Sequence, residues 1–184
     1  RMLKDAGSLR SECYLTNVVN SQPQGGRIDS LIAYRKADVT ANHTSLNGKY
    51  VLPPLVIGYN RLLKEIELVK PNVICSLDTV PTWLLTRGEA IAKWRGSHLA
   101  LSPPHEALRE GGLLPKVIPT YPPAWVLAQW QLRPHTVEDL RRVKRESESR
   151  VYEHIPQWNF TVKPTRNEVV SCLGWLTAQL EAAP

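Results

Sequence analysis

The sequence has few cysteines and lacks a long apolar run. Its three cysteines, Cys13, Cys75 and Cys172, lie far apart without Cys-x-x-Cys spacing. An odd number with this spacing argues against a disulfide framework and against a zinc site, so we expect a reducing environment. Because no apolar run approaches membrane-spanning length and no signal peptide is visible, we expect no membrane partner.

The charge of the chain has two interpretations. Its 184 residues include 23 Lys and Arg against 17 Asp and Glu, which gives a net charge of +6 and a pI near 9.4. A basic surface attracts phosphate, so a polyanionic partner is one interpretation and ordinary solubility is the other. With 42% hydrophobic residues the chain can bury one good core, so we expect a single main domain with a tail.

Alternating strand and helix patterns predict the fold. Strand-like runs cover residues 14–19, 73–77, 98–101 and 116–119. Residues 22–54 have the composition of a long irregular connection. Helical spacing of apolar residues predicts a helix through Tyr59, Leu62, Leu63, Ile66 and Val69, and Asp78 or Thr79 can cap the next one. We therefore expect a three-layer α/β/α fold with a short, mainly parallel central sheet.

Two further helix starts are predicted after the sheet. Residues 136–139 resemble a capping box and open a charged helix to about Ser149, whose basic face is either a solvated surface or a DNA contact. Residues 165–168 form a capping box for an appended C-terminal helix, which follows a connector at residues 156–164. We expect the main domain to cover residues 1–150 and the connector and helix to cover residues 151–184.

The beginning of the chain resembles the end of a helix. Residues 1–6 have helical character and Gly7 stops them. Because a domain rarely begins inside a helix, we expect that further residues belong in front of Arg1.

Three segments carry a resemblance to a known family. Residues 16–27, from Thr16-Asn17-Val18-Val19 through a Pro/Gly loop to Arg27, resemble the signature Thr-Asn-Val-Val-Lys-Cys-Arg-Pro-Pro-x-x-Arg of the family 4 uracil-DNA glycosylases. Residues 69–77 resemble the family's lysine-proline and strand segment, with Asp78 where the family usually has Gly. Residues 118–124 resemble its closing motif, Pro-Thr-x-His-Pro-Ser or Pro-Thr-x-His-Pro-Ala. The match covers about residues 2–127.

The segments around these motifs resemble one branch more closely. Residues 92–97, 129–134 and 139–142 are similar to the glycosylase-like module at the front of certain phage family A DNA polymerases. This resemblance implies a phage protein in the cytoplasm of a bacterial host. It also implies that the C-terminal helix leads toward an exonuclease domain, with polymerase and exonuclease domains of the same or an associated chain as partners.

The resemblance also implies which chemistry this chain would lack. The family flips uracil out of DNA and cleaves its bond to deoxyribose, and the closing-motif His donates a hydrogen bond to the leaving base. Pro122 occupies that position and has no donor, so we expect no catalytic residue there. The family's Gly-Glu-x-Pro-Gly motif, which positions water, should precede Arg1. A substitute donor from His98 or His105 is the alternative.

The family's iron–sulfur cluster is not expected in this chain. Two of the family's four cysteine ligands fall on Ser21 and about Gly58. Cys13, Cys75 and Cys172 are not at ligand positions, and we expect them to pack in the core.

The remaining motif residues predict a DNA-binding surface. Asn17 and Tyr121 would line the base pocket, although an Asn can also simply cap a strand end. Phosphate contacts are expected from Gln24, Gly25, Gly26 and Arg27, for which a plain turn is the alternative. The loop around the closing motif is expected to contact DNA through Thr120, Pro123 and Trp125. Trp125 and Trp130 could stack on bases, or at least one of them could be a core residue.

Three functions follow from this sequence. The first is a DNA-binding, glycosylase-like module with lost or weak base excision. The second is an active uracil-DNA glycosylase whose first motif lies outside this chain. The third is a structural module that docks on a neighbouring domain without touching DNA.

Overall fold

The computed structural model describes residues 1–102, 105–151 and 163–181. The chain divides into two compact units, and the first covers Arg1–Val151. Its helices are α1 (Met2–Asp5), α2 (Pro53–Val69), α3 (Thr79–Thr86), α4 (Ile91–Trp94), α5 (Pro123–Ala128) and α6 (Arg133–Glu146). Its strands are β1 (Ile32–Ala33), β2 (Thr44–Leu46), β3 (Lys49–Val51), β4 (Val73–Leu77) and β5 (Lys116–Thr120). The second unit contains α7 (Arg166–Glu181).

The parallel pair β4–β5 forms the central layer. Its register runs from Val73 opposite Lys116 to Leu77 opposite Thr120. On one face, Ser76 bonds Thr82 of α3 across 2.9 Å. On the other face, Thr120 bonds Asp139 of α6 across 2.6 Å. Because alternate residues of a strand point to opposite faces, α3 and α6 cover the two sides of the sheet, and the expected three-layer α/β/α fold is confirmed.

The parallel pair was correctly located by its apolar runs. Both runs read as continuous apolar segments because each strand is covered on both faces, and Val117 and Ile118 are fully buried. Helix α2 ends at Val69 and its C-cap residue Lys70 adopts a left-handed conformation, as the Lys-Pro stop predicts. The side chain of Asp78 accepts a hydrogen bond from the Thr79 amide at 2.6 Å, so the predicted cap of α3 is confirmed.

A second sheet was missed in the segment expected to be irregular. Strands β1, β3 and β2 form an antiparallel sheet in that order, with Ile32 opposite Val51 and Ser45 opposite Tyr50. Its inner face joins the main core, where Val51 and Ile32 pack with Leu55 of α2. This sheet covers part of residues 22–54 and closes one side of the first unit's core.

The strand predicted at residues 14–19 is wrong. Residues 13–17 adopt no regular structure, and a helix side chain rather than a neighbouring strand bonds Thr16 and Asn17. Arg61 of α2 donates to the Thr16 hydroxyl at 3.2 Å and to the Asn17 carbonyl. The strand predicted at residues 98–101 is reduced to one bridge between Leu99 and Val117.

The charged helix begins earlier than predicted. Helix α6 starts at Arg133 with Pro134 in its first turn, and it ends at Glu146. Thr136 and Asp139 are therefore inside the helix and buried, and the capping box predicted there is wrong. The Thr136 hydroxyl donates to the Leu132 carbonyl at 3.0 Å, as helix-interior threonines do.

The C-terminal helix begins as predicted. The Thr165 amide donates to Glu168 at 2.7 Å and the Glu168 amide donates back to the Thr165 hydroxyl at 3.4 Å, which confirms the capping box. The connector predicted at residues 156–164 lies outside the described residues except for its last two. In the described ranges, no helix is both long and apolar enough to cross a bilayer.

Candidate nucleic-acid interface

The carboxyl ends of β4 and β5 are held together at one edge of the sheet. The Asp78 amide, just after β4, donates to the Thr120 carbonyl at the end of β5 at 3.2 Å. In open α/β sheets, ligands bind beyond the carboxyl ends of parallel strands. A ligand site is therefore expected at the loop that follows Thr120, which contains Tyr121 and Pro122.

An ion pair between Arg95 and the buried Asp139 holds the end of β5 in place. Arg95 donates to Asp139 through Nη2 at 2.7 Å and through Nε at 3.1 Å, and it also donates to the His135 carbonyl at 2.9 Å. The Asp139 side chain is 5% exposed and also accepts from the Thr120 hydroxyl. A carboxylate that accepts three directed donors holds its partners in one geometry, so β5, α6 and Arg95 form one rigid assembly.

Gly96 lets the backbone approach this ion pair. Its amide donates to the Pro119 carbonyl at 2.8 Å and its φ is +69°. A Cβ at this position would lie 2.5 Å from Oδ1 of Asp139. Only glycine combines this backbone conformation with this close approach.

Burial changes the pKa of Asp139. Desolvation raises the pKa of its carboxyl group, while the hydrogen bond from Thr120 and the charge of Arg95 act in the opposite direction. The charged form is thus maintained by its donors, and the loss of one donor would favour protonation.

Two aromatic rings lie at the start of the loop and its helix. The Tyr121 ring stacks on Trp125 with a centroid distance of 6.0 Å and an interplanar angle of 27°. The guanidinium of Arg95 lies 5.7 Å from the Tyr121 ring centroid, so the ion pair also supports the aromatic pair. Trp125 is 45% exposed and Trp130 is 63% exposed, so the expectation that at least one of them is a core residue is wrong.

Pro122 and Pro123 form the entry to α5. Pro122 precedes the helix and its carbonyl accepts from the Trp125 amide at 3.0 Å, and Pro123 is the first helical residue. Neither proline has a side-chain donor. Thr120 is fully buried, so its side chain lies inside the domain and not on the surface where a DNA contact was expected.

The two histidines considered as substitute donors have other positions. Nε2 of His98 lies 3.2 Å from Oε1 of Glu146. The other oxygen of the Glu146 carboxylate forms an ion pair with Lys116 at the start of β5. Because Pro122 follows the end of β5, the length of the strand separates it from this group. His105 lies 3.2 Å from the Tyr59 hydroxyl. The structure therefore places neither histidine on the Pro122 loop.

The segment around Asn17 is held against α2. Asn17 is exposed, and Val18 next to it is buried in the main core. Gly58 of α2 lies against this segment so closely that a Cβ there would be 2.0 Å from the Val18 carbonyl oxygen. A glycine is therefore required at position 58 for Asn17 to take its present position.

The Gly-rich segment is a turn, as its alternative interpretation predicts. Residues Gln24–Gly26 form a short 3-10 turn, and Gly25 and Gly26 have φ of +72° and +69°. The Gly26 amide donates to the Pro23 carbonyl at 2.9 Å, so it is not directed at a ligand. Arg27 is exposed and forms an ion pair with Asp29 at 3.3 Å.

Two hollows of the described chain lie elsewhere. One is an open groove of about 310 Å³ beside the antiparallel sheet, whose lining includes Tyr34, Lys49 and Tyr50. A smaller one lies between the end of α2 and Arg150. Neither is lined by Asn17 or Tyr121, so the structure does not bring these two residues together in either hollow.

The cysteines and the implied cluster positions do not fit an iron–sulfur cluster. At one position the Val18 carbonyl leaves no room for a cysteine Cβ on Gly58, and at the other Ser21 supplies no thiol. Burial raises the pKa of Cys75 to about 12, which keeps it a neutral thiol. Cys75 packs against the small core between α1 and α6, whereas Cys172 is exposed, so core packing is wrong for Cys172. Among the described residues, no group of three or more His, Cys, Asp or Glu side chains is placed to hold a metal.

Sequence reasoning missed the Arg95–Asp139 pair. Asp139 was assigned to a helix cap, and no partner was predicted for Arg95. One signal was available, because Asp139 lies three residues from Thr136 on the helix face that also includes Leu140. An acid on an apolar helix face requires a cationic or donor partner.

Comparisons with known proteins give one result at the level of family. The sequence model described as the Uracil DNA glycosylase superfamily matches residues 1–146. No curated protein matches the chain.

Proposed function

Because the chain belongs to the uracil-DNA glycosylase superfamily, we propose that it is a DNA-binding module in which base excision is lost or weak. The observation that carries the proposal is Pro122. A residue without a donor stands in the loop at the carboxyl end of β5, and the buried ion pair and aromatic pair around that loop are intact. We place the chain near family 4 and near the modules of phage polymerases on the motifs at residues 16–27, 92–97 and 118–124.

Loss of the donor accounts for loss of the chemistry. One preorganised donor to a developing anion is typically worth on the order of 10²–10³ in rate. His98 is near Glu146 and His105 is near Tyr59, so neither supports a replacement. An active glycosylase remains the alternative, and it predicts measurable excision in spite of Pro122.

Charge and exposed aromatic rings support binding to DNA. The chain has a net charge of +6, and Trp125 and Trp130 are exposed beside the loop. Arg133, which also forms an ion pair with Asp5, lies 5.3 Å from the Trp130 ring centroid, so a guanidinium is next to a ring on which a base can stack. The docking module without DNA contact predicts no binding even at low salt.

Excision is tested with uracil-containing oligonucleotides, single- and double-stranded. We expect no measurable release of uracil from wild type. Turnover comparable with that of an active glycosylase would refute the loss of chemistry. Pro122→His restores a donor, and any increase in excision over wild type would identify the missing donor as a limiting defect.

Binding is tested by fluorescence anisotropy at several salt concentrations. We expect affinity to fall steeply with salt because bound cations are released from DNA. Arg27→Ala should lower affinity and reduce the salt slope by about one phosphate contact, whereas Arg166→Ala in α7 is the matched control. Trp125→Ala should weaken binding, with Trp175→Ala as its control. Absence of binding at low salt would favour the docking module.

The base pocket is proposed to be closed. Asn17 is exposed on a segment fixed by Arg61, and it is not part of either hollow. We expect wild type to bind uracil- and thymine-containing DNA equally, and Asn17→Ala to leave that ratio unchanged. A preference for uracil that Asn17→Ala abolishes would show instead that the pocket is in use.

We also propose that the module holds no iron–sulfur cluster and functions beside exonuclease and polymerase domains. Gly58 and Ser21 stand at two ligand positions and do not suit them. Anaerobic expression with iron and sulfide should give protein without stoichiometric iron. In α7, exposed apolar side chains at Val169, Leu173 and Leu176 favour a partner surface. Co-purification with an adjoining exonuclease domain, lost when these three are changed to Ser, is the corresponding test.

A further inference from the structure

The antiparallel sheet has an open groove that the superfamily match does not explain. We call it the sheet groove, and its lining includes Tyr34, Arg35, Lys36, Lys49, Tyr50 and Glu89. Its volume of about 310 Å³ is at the small end of ligand pockets, which span roughly 300–1,000 Å³. A small, open groove can hold one unit of a polymeric ligand that continues outside it. It is less suited to a small molecule that must be enclosed.

Two tyrosines of the groove are exposed without a role in the core. Val51 and Ile32 point into the core from β3 and β1, so Tyr50, adjacent to Val51, points to the outer face. Tyr50 is 46% exposed and Tyr34 is 63% exposed. Tyr50 lies on the outer face of the sheet and Tyr34 directly follows β1, and exposed aromatic rings such as these are surfaces on which the bases of single strands stack.

Lys49 fixes the groove before any ligand binds. Its Nζ lies 5.3 Å from the Tyr34 ring centroid and 4.9 Å from that of buried Trp83, and it forms an ion pair with Glu89 at 2.8 Å. The Tyr34 hydroxyl also bonds Asp29 at 3.5 Å. The Tyr34 ring is thus held in place, and ordering it costs a ligand little conformational entropy.

The free charge of the groove is positive. Glu89 is paired with Lys49, whereas Arg35 and Lys36 are exposed and form no ion pair among the described residues. Two available cations beside two exposed rings complement a ligand that alternates phosphates with bases. An acidic protein would match the cations and leave the rings unused.

We propose that the sheet groove binds single-stranded DNA, with a base stacked on Tyr34 or Tyr50 and phosphates at Arg35 and Lys36. None of these groups belongs to the loop at residues 120–123 or to the Asn17 segment. The site therefore extends the proposed function to a second contact with DNA, independent of the base pocket.

The test measures the affinity of the full chain for a fluorescein-labelled oligo(dT). Tyr50→Ala should weaken binding about fivefold or more, because one base–aromatic stack is lost, and Tyr50→Phe should bind as wild type because it retains the ring. Lys36→Gln should lower the salt slope by about 0.7, with Lys64→Gln, at an exposed position of α2, as the charge control. A duplex of the same length should compete poorly, because its bases are already stacked.

Photocrosslinking locates the contact independently of stability. An oligonucleotide carrying 5-iodouracil should crosslink to Tyr34 or Tyr50, identified by mass spectrometry. Crosslinks at Tyr121 or Trp125 alone, with Tyr50→Ala binding as wild type, would overturn the groove and leave the proposed function intact. No binding of any oligonucleotide at low salt would overturn both. Equal competition by duplex would overturn the choice of a single strand.

Discussion

Gly58→Ala provides a sensitive test of how the Asn17 segment is placed. Gly58 lies inside α2, where an exposed glycine would cost about 1 kcal/mol relative to alanine. Alanine would therefore stabilise the helix if the site had room. The structure predicts the opposite, because the new Cβ would lie 2.0 Å from the Val18 oxygen and 3.1 Å from its carbonyl carbon.

The magnitude follows from which atoms must move. Overpacking typically costs about 1–3 kcal/mol. The upper end applies here because the new Cβ is fixed to the helix backbone and meets the Val18 backbone, so no change of rotamer can relieve the contact. Subtracting the gain in helix propensity of about 1 kcal/mol leaves a net loss of about 2 kcal/mol. For a unit of this size that loss corresponds to a melting temperature lower by about 4–8 °C.

Urea denaturation followed by tryptophan fluorescence measures the loss, with Gly174→Ala as the matched control. Gly174 is also inside a helix, and nothing lies within 4 Å of the Cβ that alanine would add. The control should leave the midpoint of the first unit unchanged and increase helicity in α7. If Gly58→Ala were as stable as wild type or more stable, the close packing of residues 16–19 on α2 would be refuted.

Other parts of the structure give predictions that rest on separate contacts. Arg95→Met should destabilise the domain by about 3 kcal/mol because Asp139 stays buried without its cation. This loss of stability should become smaller as the pH falls, since burial raises the pKa of Asp139 and its neutral form needs no cationic partner. An equal loss at pH 5 and pH 7 in urea denaturation would contradict this reasoning. Burial lowers the pKa of His98, which faces Glu146, Arg142, Lys116 and Arg145, so the unfolded chain binds its proton more tightly and stability should fall as the pH drops below about 6.5. His98→Gln should reduce that fall, and identical pH profiles for the two proteins would count against it. Thr165→Ala should reduce the helicity of α7 measured by circular dichroism, Thr165→Ser should retain it, and equal loss in both would refute the cap.

The elements predicted correctly are those whose signals are local. Strands β4 and β5 are apolar runs ended by turn residues, and α3 follows a capping Asp78. Helix α2 has a clear apolar stripe and a Lys-Pro stop. Each of these signals lies within about ten residues of sequence, so it can be read without knowing the partners in space.

The antiparallel sheet was missed because its strands are too short to show a period. Strands β1, β2 and β3 have two or three residues each. The available signal was the Asn47-Gly48 dipeptide between β2 and β3, where φ is +48° and +83°. Two adjacent positive φ values are typical of a type I′ hairpin turn, and Asn-Gly is its preferred sequence.

The Asn17 segment was misassigned for a different reason. Its apolar and β-branched residues resemble a strand, but a strand requires a neighbour, and none of the sheets in the described residues includes it. Arg61, 44 residues away, bonds its carbonyl group instead. The Arg95–Asp139 pair is likewise separated by 44 residues, and no single sequence reveals such a pairing.

The placement of these contacts shows that the shape of the loop at residues 120–123 does not depend on the side chain at position 122. Asp139 holds Thr120 and Arg95, and Arg95 supports Tyr121, so the loop is positioned by residues on both sides of position 122 and not by position 122 itself. A proline in place of a donor at this position would leave those bonds in place. Pro122 also has φ of −66°, which is the value its ring imposes, so proline causes no strain before α5. The loop's shape and its exposed Trp125 therefore depend on Arg95 and Asp139, whereas the proposed loss of excision rests on position 122.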